Sequence, residues 1–303
     1  MESLPHSLDA WPAFPWVSGR LLVRGPVVAG GLTTLMECWG MTRLSGQTVL
    51  VTGASRGIGL ATARRFHMEG ARVGLVARDA DRLAAVAADL GRPCYAVAAD
   101  VAEPAECVRA VDQIEDALGP VNVLVSNAGV LRRDFVTDVT VQDFEDSYRV
   151  NVGAALWLTQ RVLPGMRERG YGRIVLVASE LGLFGGPSYA SYCTSKFALV
   201  GLAEVLWHEL AGSGVRVCAV CPGDVRTDQL EQEHQWGPTG GVPPEKAMAP
   251  DYVASAIVRS LDSRNPVAIV DKPHLRAVFN LWGGPRRLRL AAVHGAYKGL
   301  LKA

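Results

Sequence analysis

Apolar positions along this chain recur with two alternating periods. Short runs rich in valine, isoleucine and leucine lie at 48–51, 72–77, 94–98, 121–125, 173–178, 215–220 and 266–270. Between them, apolar residues repeat at helical spacing: from the glycine-rich turn after Val51 to Glu69, near 80–90, over 104–118, over about 141–168 and 189–211, and near 251–262. Pro104 suits a first helical turn, where its missing N–H has no partner to lose. Near-continuous apolar strands that alternate with helices predict a mostly parallel sheet covered on both faces. Right-handed crossovers make such a sheet doubly wound, with ligands at the carboxyl ends of its strands. The expectation is one α/β domain of about seven strands over residues 45–271.

The flanks break this pattern. Residues 1–44 carry Pro5, Pro12, Pro15 and Pro26 with Trp11, Trp16 and Trp39, without a sustained period. They read as an irregular extension, and Met41 would be a natural start for the main domain. The apolar-leaning stretch at 25–36 is too short to span a bilayer, and no basic region precedes an apolar one, so no secretory signal is expected. Residues 272–303 hold seven lysines and arginines and no acidic side chain; Leu290, Val293, Tyr297, Leu300 and Leu301 approximate one helical face. Such a tail can pack on its own domain or on a partner subunit, which is the favoured reading, meet an acidic carrier, or make peripheral contact with an anionic membrane.

Charge adds exclusions. Thirty-one basic and thirty acidic side chains leave a formal net charge of +1, so no global field favours nucleic acid. Of six cysteines, only Cys218 and Cys221 have CxxC spacing. They fall on a strand, where residues i and i+3 face opposite ways, so they read as separate buried thiols in a reducing, cytoplasmic compartment. No metal-ligand cluster is apparent.

The first strand runs into Thr52-Gly-Ala-Ser-Arg-Gly-Ile-Gly59 at the start of a helix. Glycines let the backbone approach a pyrophosphate, and the helix N-terminus offers free N–H groups and partial positive charge. Gly53, Ser55, Gly57, Ile58 and Gly59 are therefore candidate dinucleotide contacts in a Rossmann-type fold. A 2′-hydroxyl wants an acidic residue at the end of the second strand, and a 2′-phosphate wants arginine. Arg78 stands there, with Arg56 in the loop, which favours NADP(H). Asp79 keeps NAD(H) open, although Asp79-Ala-Asp-Arg reads as a helix cap and first turn.

Tyr192 and Lys196 share a helix face. A free phenol, with a pKa of about 10, is a poor base at neutral pH, and a neighbouring ammonium lowers it. Such a tyrosine can pass a proton to or from a substrate oxygen. The ordered set around the pair resembles the short-chain dehydrogenase/reductase family over about 45–270: the glycine loop, Ser126-Asn-Ala-Gly129, Asn151, Ser179 thirteen residues before Tyr192, and Pro222-Gly-Asp-Val-Arg-Thr227. Ser126 departs from it, a second asparagine being commoner there.

The resemblance implies roles. Tyr192 would be the general acid/base. Lys196 would lower its pKa and hold the nicotinamide ribose, Ser179 would bond the substrate oxygen, and Asn151 would hold a relay water. Asp100 and Val101 would flank the adenine, and Asn127 would be structural beside Ala128 and Gly129. Pro222, Gly223, Val225 and Thr227 would cover the nicotinamide and phosphates, with 228–244 a mobile lid. The implied activity is NADP(H)-dependent interconversion of a small-molecule carbonyl and alcohol by a homodimer or homotetramer. The alternatives are a 3-oxoacyl-thioester reductase, or an NADP(H)-sensing scaffold without turnover.

Overall fold

The computed structural model describes residues 44–235 and 243–271. The expected N-terminal extension, apart from Leu44, and the basic tail lie outside them. The described residues form a doubly wound α/β fold, as the alternation of periods predicts. Chain order is β1 (Thr48–Thr52), α1 (Gly57–Met68), β2 (Arg72–Ala77), α2 (Ala80–Leu90), β3 (Cys94–Ala98), α3 (Pro104–Leu118) and β4 (Val121–Ser126). Then follow α4 (Val141–Tyr148), a π-helical turn (Arg149–Gly153), α5 (Ala154–Glu168), β5 (Gly172–Val177), α6 (Ala190–Glu209), β6 (Val215–Pro222), α7 (Asp228–Gln235), α8 (Pro250–Ser260) and β7 (Val267–Val270).

All neighbouring strands pair in parallel, in the order β3-β2-β1-β4-β5-β6-β7. The order reverses between β1 and β4, so a crevice opens at their carboxyl ends, where ligands bind in open α/β sheets. Successive residues of each strand enter opposite cores. Leu50, Leu124, Ile174 and Leu176 pack with α3, α5 and α6, whereas Val49, Val51, Val123 and Val125 pack with α1 and α8. Cys218 joins the second core and Cys221 the first, both unpaired and buried, as the strand period requires.

Two elements differ from the sequence expectation. The helix expected over about 141–168 is interrupted at Arg149–Gly153 by a π turn, a bulge common at functional sites. The lid expected at 228–244 begins as α7. Its polar sequence buries only Leu230, and Thr227 Oγ1 accepts from Leu230 N at 3.4 Å as a helix-start bond.

Candidate active site

A cavity of about 780 Å³ opens along the carboxyl edge of the sheet. It is lined by the phosphate loop (Gly53, Ser55, Arg56, Gly57, Ile58), by Arg78, by Asp100 and Val101, and by Asn127, Ala128 and Gly129. Ser179, Tyr192 and Lys196 line it too, with Pro222, Gly223, Val225 and Thr227. Of the residues expected in the site, Gly59 and Asn151 lie behind this wall.

Gly59 shapes the loop from behind. A Cβ there would collide with the Gly53 carbonyl oxygen and come within 2.6 Å of Asn127 Nδ2. Gly53 adopts φ +65, which favours glycine. Asn127 Nδ2 donates to Thr52 O at 2.8 Å, and Thr52 Oγ1 accepts from the amides of Asn127 and Ala128. The ends of β1 and β4 are thus tied together. The N-cap residue of α1, Arg56, makes no side-chain cap bond. The glycine cradle and open helix start fit a dinucleotide pyrophosphate.

Arg56 of the phosphate loop, Arg78 at the carboxyl end of β2 and Arg82 in the first turn of α2 line the cavity together. Sequence reading missed Arg82. Its signal was its place in the first turn of α2, directly beyond Arg78. Asp79 caps α2, its carboxylate accepting from Arg82 N at 2.9 Å, as the capping pattern predicted. Asp100 accepts from Ala102 N at 3.0 Å and so turns the chain at the cavity wall.

At the other end, α6 presents Tyr192 and Lys196 on one face, 7% and 4% exposed. Lys196 Nζ donates to Val177 O at 2.9 Å and sits 5.6 Å from the Tyr192 ring centroid. Burial brings its ammonium down to about 8. The expected lowering of the phenol is not the net result. Burial pushes Tyr192 above its ordinary value, while hydrogen bonds with the Ser179 and Gln229 side chains pull it part of the way back.

Asn151 projects from the π turn, 2% exposed. Its Nδ2 donates to Val130 O at 3.0 Å and Ser195 Oγ at 2.9 Å, and its Oδ1 accepts from Val130 N at 2.8 Å. Both amide hydrogens are used, so the side chain fastens the strand-four segment to α6 beside the dyad.

Three acidic residues near the tyrosine were also missed, because no motif marks them. Glu180 follows Ser179, and Glu233 on α7 accepts a hydrogen bond from Tyr189 Oη. A Cβ on Gly223 would lie 3.1 Å from both Glu180 and Asp271, so these carboxyls meet there. Burial, then the charges of Asp271 and Asp224, raise Glu180 well above the usual carboxylate range. A carboxyl raised in the fold makes a contribution to stability that is complete below its unfolded value. That contribution is lost as pH rises towards the folded one. Glu180→Gln therefore raises Tm at pH 8 by about 2–4 °C, the shift that roughly 1 kcal/mol produces in a domain of this size. The gain shrinks towards pH 5, and thermal melts across that range check it; a gain independent of pH would contradict it.

The short chain dehydrogenase family model matches residues 47–237. "Oxidoreductase UcpA" of Escherichia coli is 38% identical over 194 residues, covering 63% of this chain and 74% of that protein. "Ketoacyl reductase HetN" of Nostoc sp. is 35% identical, covering 77% and 81%. "3-oxoacyl-[acyl-carrier-protein] reductase FabG" of Rickettsia bellii is 34% identical, covering 72% and 90%. A solved structure described as a "short chain dehydrogenase/reductase family protein" superposes with a TM-score of 0.69 at 33% identity, covering 76% of this chain and 97% of its own. The chain belongs to the short-chain dehydrogenase/reductase family. It is an oxidoreductase of the kind that works with a nicotinamide dinucleotide, NAD or NADP.

Proposed function

We propose that this chain is an NADP(H)-dependent reductase that interconverts a carbonyl and an alcohol, with Tyr192 as the acid/base. One observation carries the reading: a single cavity joins the glycine loop and three arginines to Ser179, Tyr192 and Lys196. When bound, the nicotinamide supplies or accepts hydride. The chain's own residues handle the proton. A phenol held above its ordinary value keeps its proton at neutral pH, which suits the acid of the reductive direction. Ser179, already bonded to that phenol, orients the substrate oxygen. Lys196, at about 8, is largely charged at neutral pH, and its charge serves the ribose hydroxyls. Asn151 is then a positioning residue for α6, whatever water it also holds.

The three arginines, with Asp79 engaged as a helix cap, support NADP(H) over NAD(H). A 3-oxoacyl thioester is the second substrate reading. It draws on the two ketoacyl-reductase relatives and on apolar Leu131, Leu181, Phe184 and Leu230 along the cavity. Retention of Ser179, Tyr192 and Lys196 in one cavity argues for turnover rather than sensing. The homo-oligomer belongs to the same reading, supported by exposed Phe197, Val205 and Trp207 on α6. So does a cytoplasmic location, supported by the buried free thiols. Among the described residues no helix is long and apolar enough to cross a membrane. The test is NADPH-dependent turnover of ketones, aldehydes and 3-oxoacyl thioesters, compared with NADH.

A further inference from the structure

Helix α7 spans both halves of the cavity. Its first residue, Asp228, pairs with Arg56 at 3.3 Å and stands 3.9 Å from Arg82. Its second residue, Gln229, bonds the Tyr192 phenol, and Glu233 one turn further on accepts from Tyr189 Oη. The lid's carboxylate is therefore bound to two of the three arginines of the cavity. Among the described residues Arg78 makes no ion pair. The Arg56 pair joins positions 172 residues apart in the chain, and no motif predicts either pair.

An anion at a ribose 2′ position would need the same guanidinium groups. Two anions that share a cation compete for it, and they repel each other across the few ångströms between them. A 2′-hydroxyl carries no such charge. We propose that Asp228 is a cofactor-specificity residue carried on the lid: it occupies the arginine charge that a 2′-phosphate would take. Binding of NADP(H) exchanges this lid anchor for the phosphate, while Gln229 and Glu233 hold the other end of α7 over the tyrosines. Asp228 thereby lowers the affinity for NADP(H) and leaves that for NAD(H) alone, narrowing a discrimination that the arginines would otherwise widen. The inference rests on the NADP(H) reading of Arg56 and Arg78.

All three side chains are about half exposed, so the competition is screened and modest. Titration of the full-length protein with NADPH and with NADH, followed by fluorescence quenching at low ionic strength, reads it without turnover. Asp228→Asn should lower the NADPH Kd about threefold to fivefold, the range that an exposed ion pair supports, and leave the NADH Kd unchanged. The change should fade in high salt, and Asp228→Glu should bind like the parent. If the parent prefers NADPH but Asp228→Asn binds it no more tightly, the exchange is refuted and the cofactor reading stands. If the parent binds NADH as tightly as NADPH and Asp228→Asn alters neither, the cofactor reading fails and the exchange with it.

Discussion

Replacing Tyr192 with phenylalanine lowers turnover by about 10²–10⁴-fold, the range that a positioned general acid supplies. NADPH affinity is essentially unchanged. The substitution removes one oxygen from a buried ring and leaves Ser179 and Gln229 without their shared partner, at a stability cost of about 1 kcal/mol. Thermal melts and NADPH titration separate that small cost from the catalytic loss. The comparison is informative because the cavity holds rival acids. Glu180 and Glu233 line it, and burial raises both above their ordinary values, Glu180 well above. Either could deliver a proton to an oxygen placed differently. Activity that persists in Tyr192→Phe would move the proton chemistry to one of them.

The second large effect falls on the phosphate loop. Gly59→Ala drives a methyl group into the Gly53 carbonyl and against Asn127 Nδ2, at the point where the ends of β1 and β4 are tied. Backbone must move, because the Gly53 carbonyl is itself backbone and Asn127 Nδ2 is held by its bond to Thr52 O. The expected cost is about 1–3 kcal/mol in stability, as for other overpacked sites. Displacing Gly53 also spoils the cradle, so NADPH affinity falls at least about tenfold, equivalent to about 1.4 kcal/mol. Gly201 in α6 is the control. A Cβ there meets nothing within 4 Å, and alanine should stabilise the helix by roughly 0.5–1 kcal/mol without touching cofactor binding. Calorimetry and NADPH titration of both variants check the pair. Equal behaviour of the two alanines would contradict the steric account.

The sheet was legible because its strands are buried on both faces and read as near-continuous apolar runs, with helical periods between them. Cys218 and Cys221 show how far that goes, since a period of two was enough to send them to opposite cores. The π turn was not legible, because helical periodicity carries through Arg149–Gly153 and a one-residue bulge leaves no mark in composition. The first turn of α7 had a signal, Thr227 before acidic Asp228 and Glu231, which a reading of that segment as a lid overlooked. The individual site residues were legible as spacings along the chain. Their electrostatic setting was not. The pairing of Tyr192 with Lys196 implied a lowered phenol, but the depth of burial that raises it exists only once the sheet and lid enclose it. Glu180, Glu233, Arg82 and Asp228 likewise acquire meaning from neighbours remote in sequence.

Hydride transfer to a carbonyl carbon is the claim on which the rest depends. NADPH carrying deuterium at the pro-R or the pro-S position of nicotinamide C4, incubated with the protein and the panel of ketones, aldehydes and 3-oxoacyl thioesters, tests it directly by mass spectrometry. One of the two labels should appear as a single deuterium on the carbinol carbon of at least one product, and Tyr192→Phe should abolish it. Tight NADPH binding with neither label leaving the nicotinamide, or undiminished label transfer in Tyr192→Phe, would contradict the account.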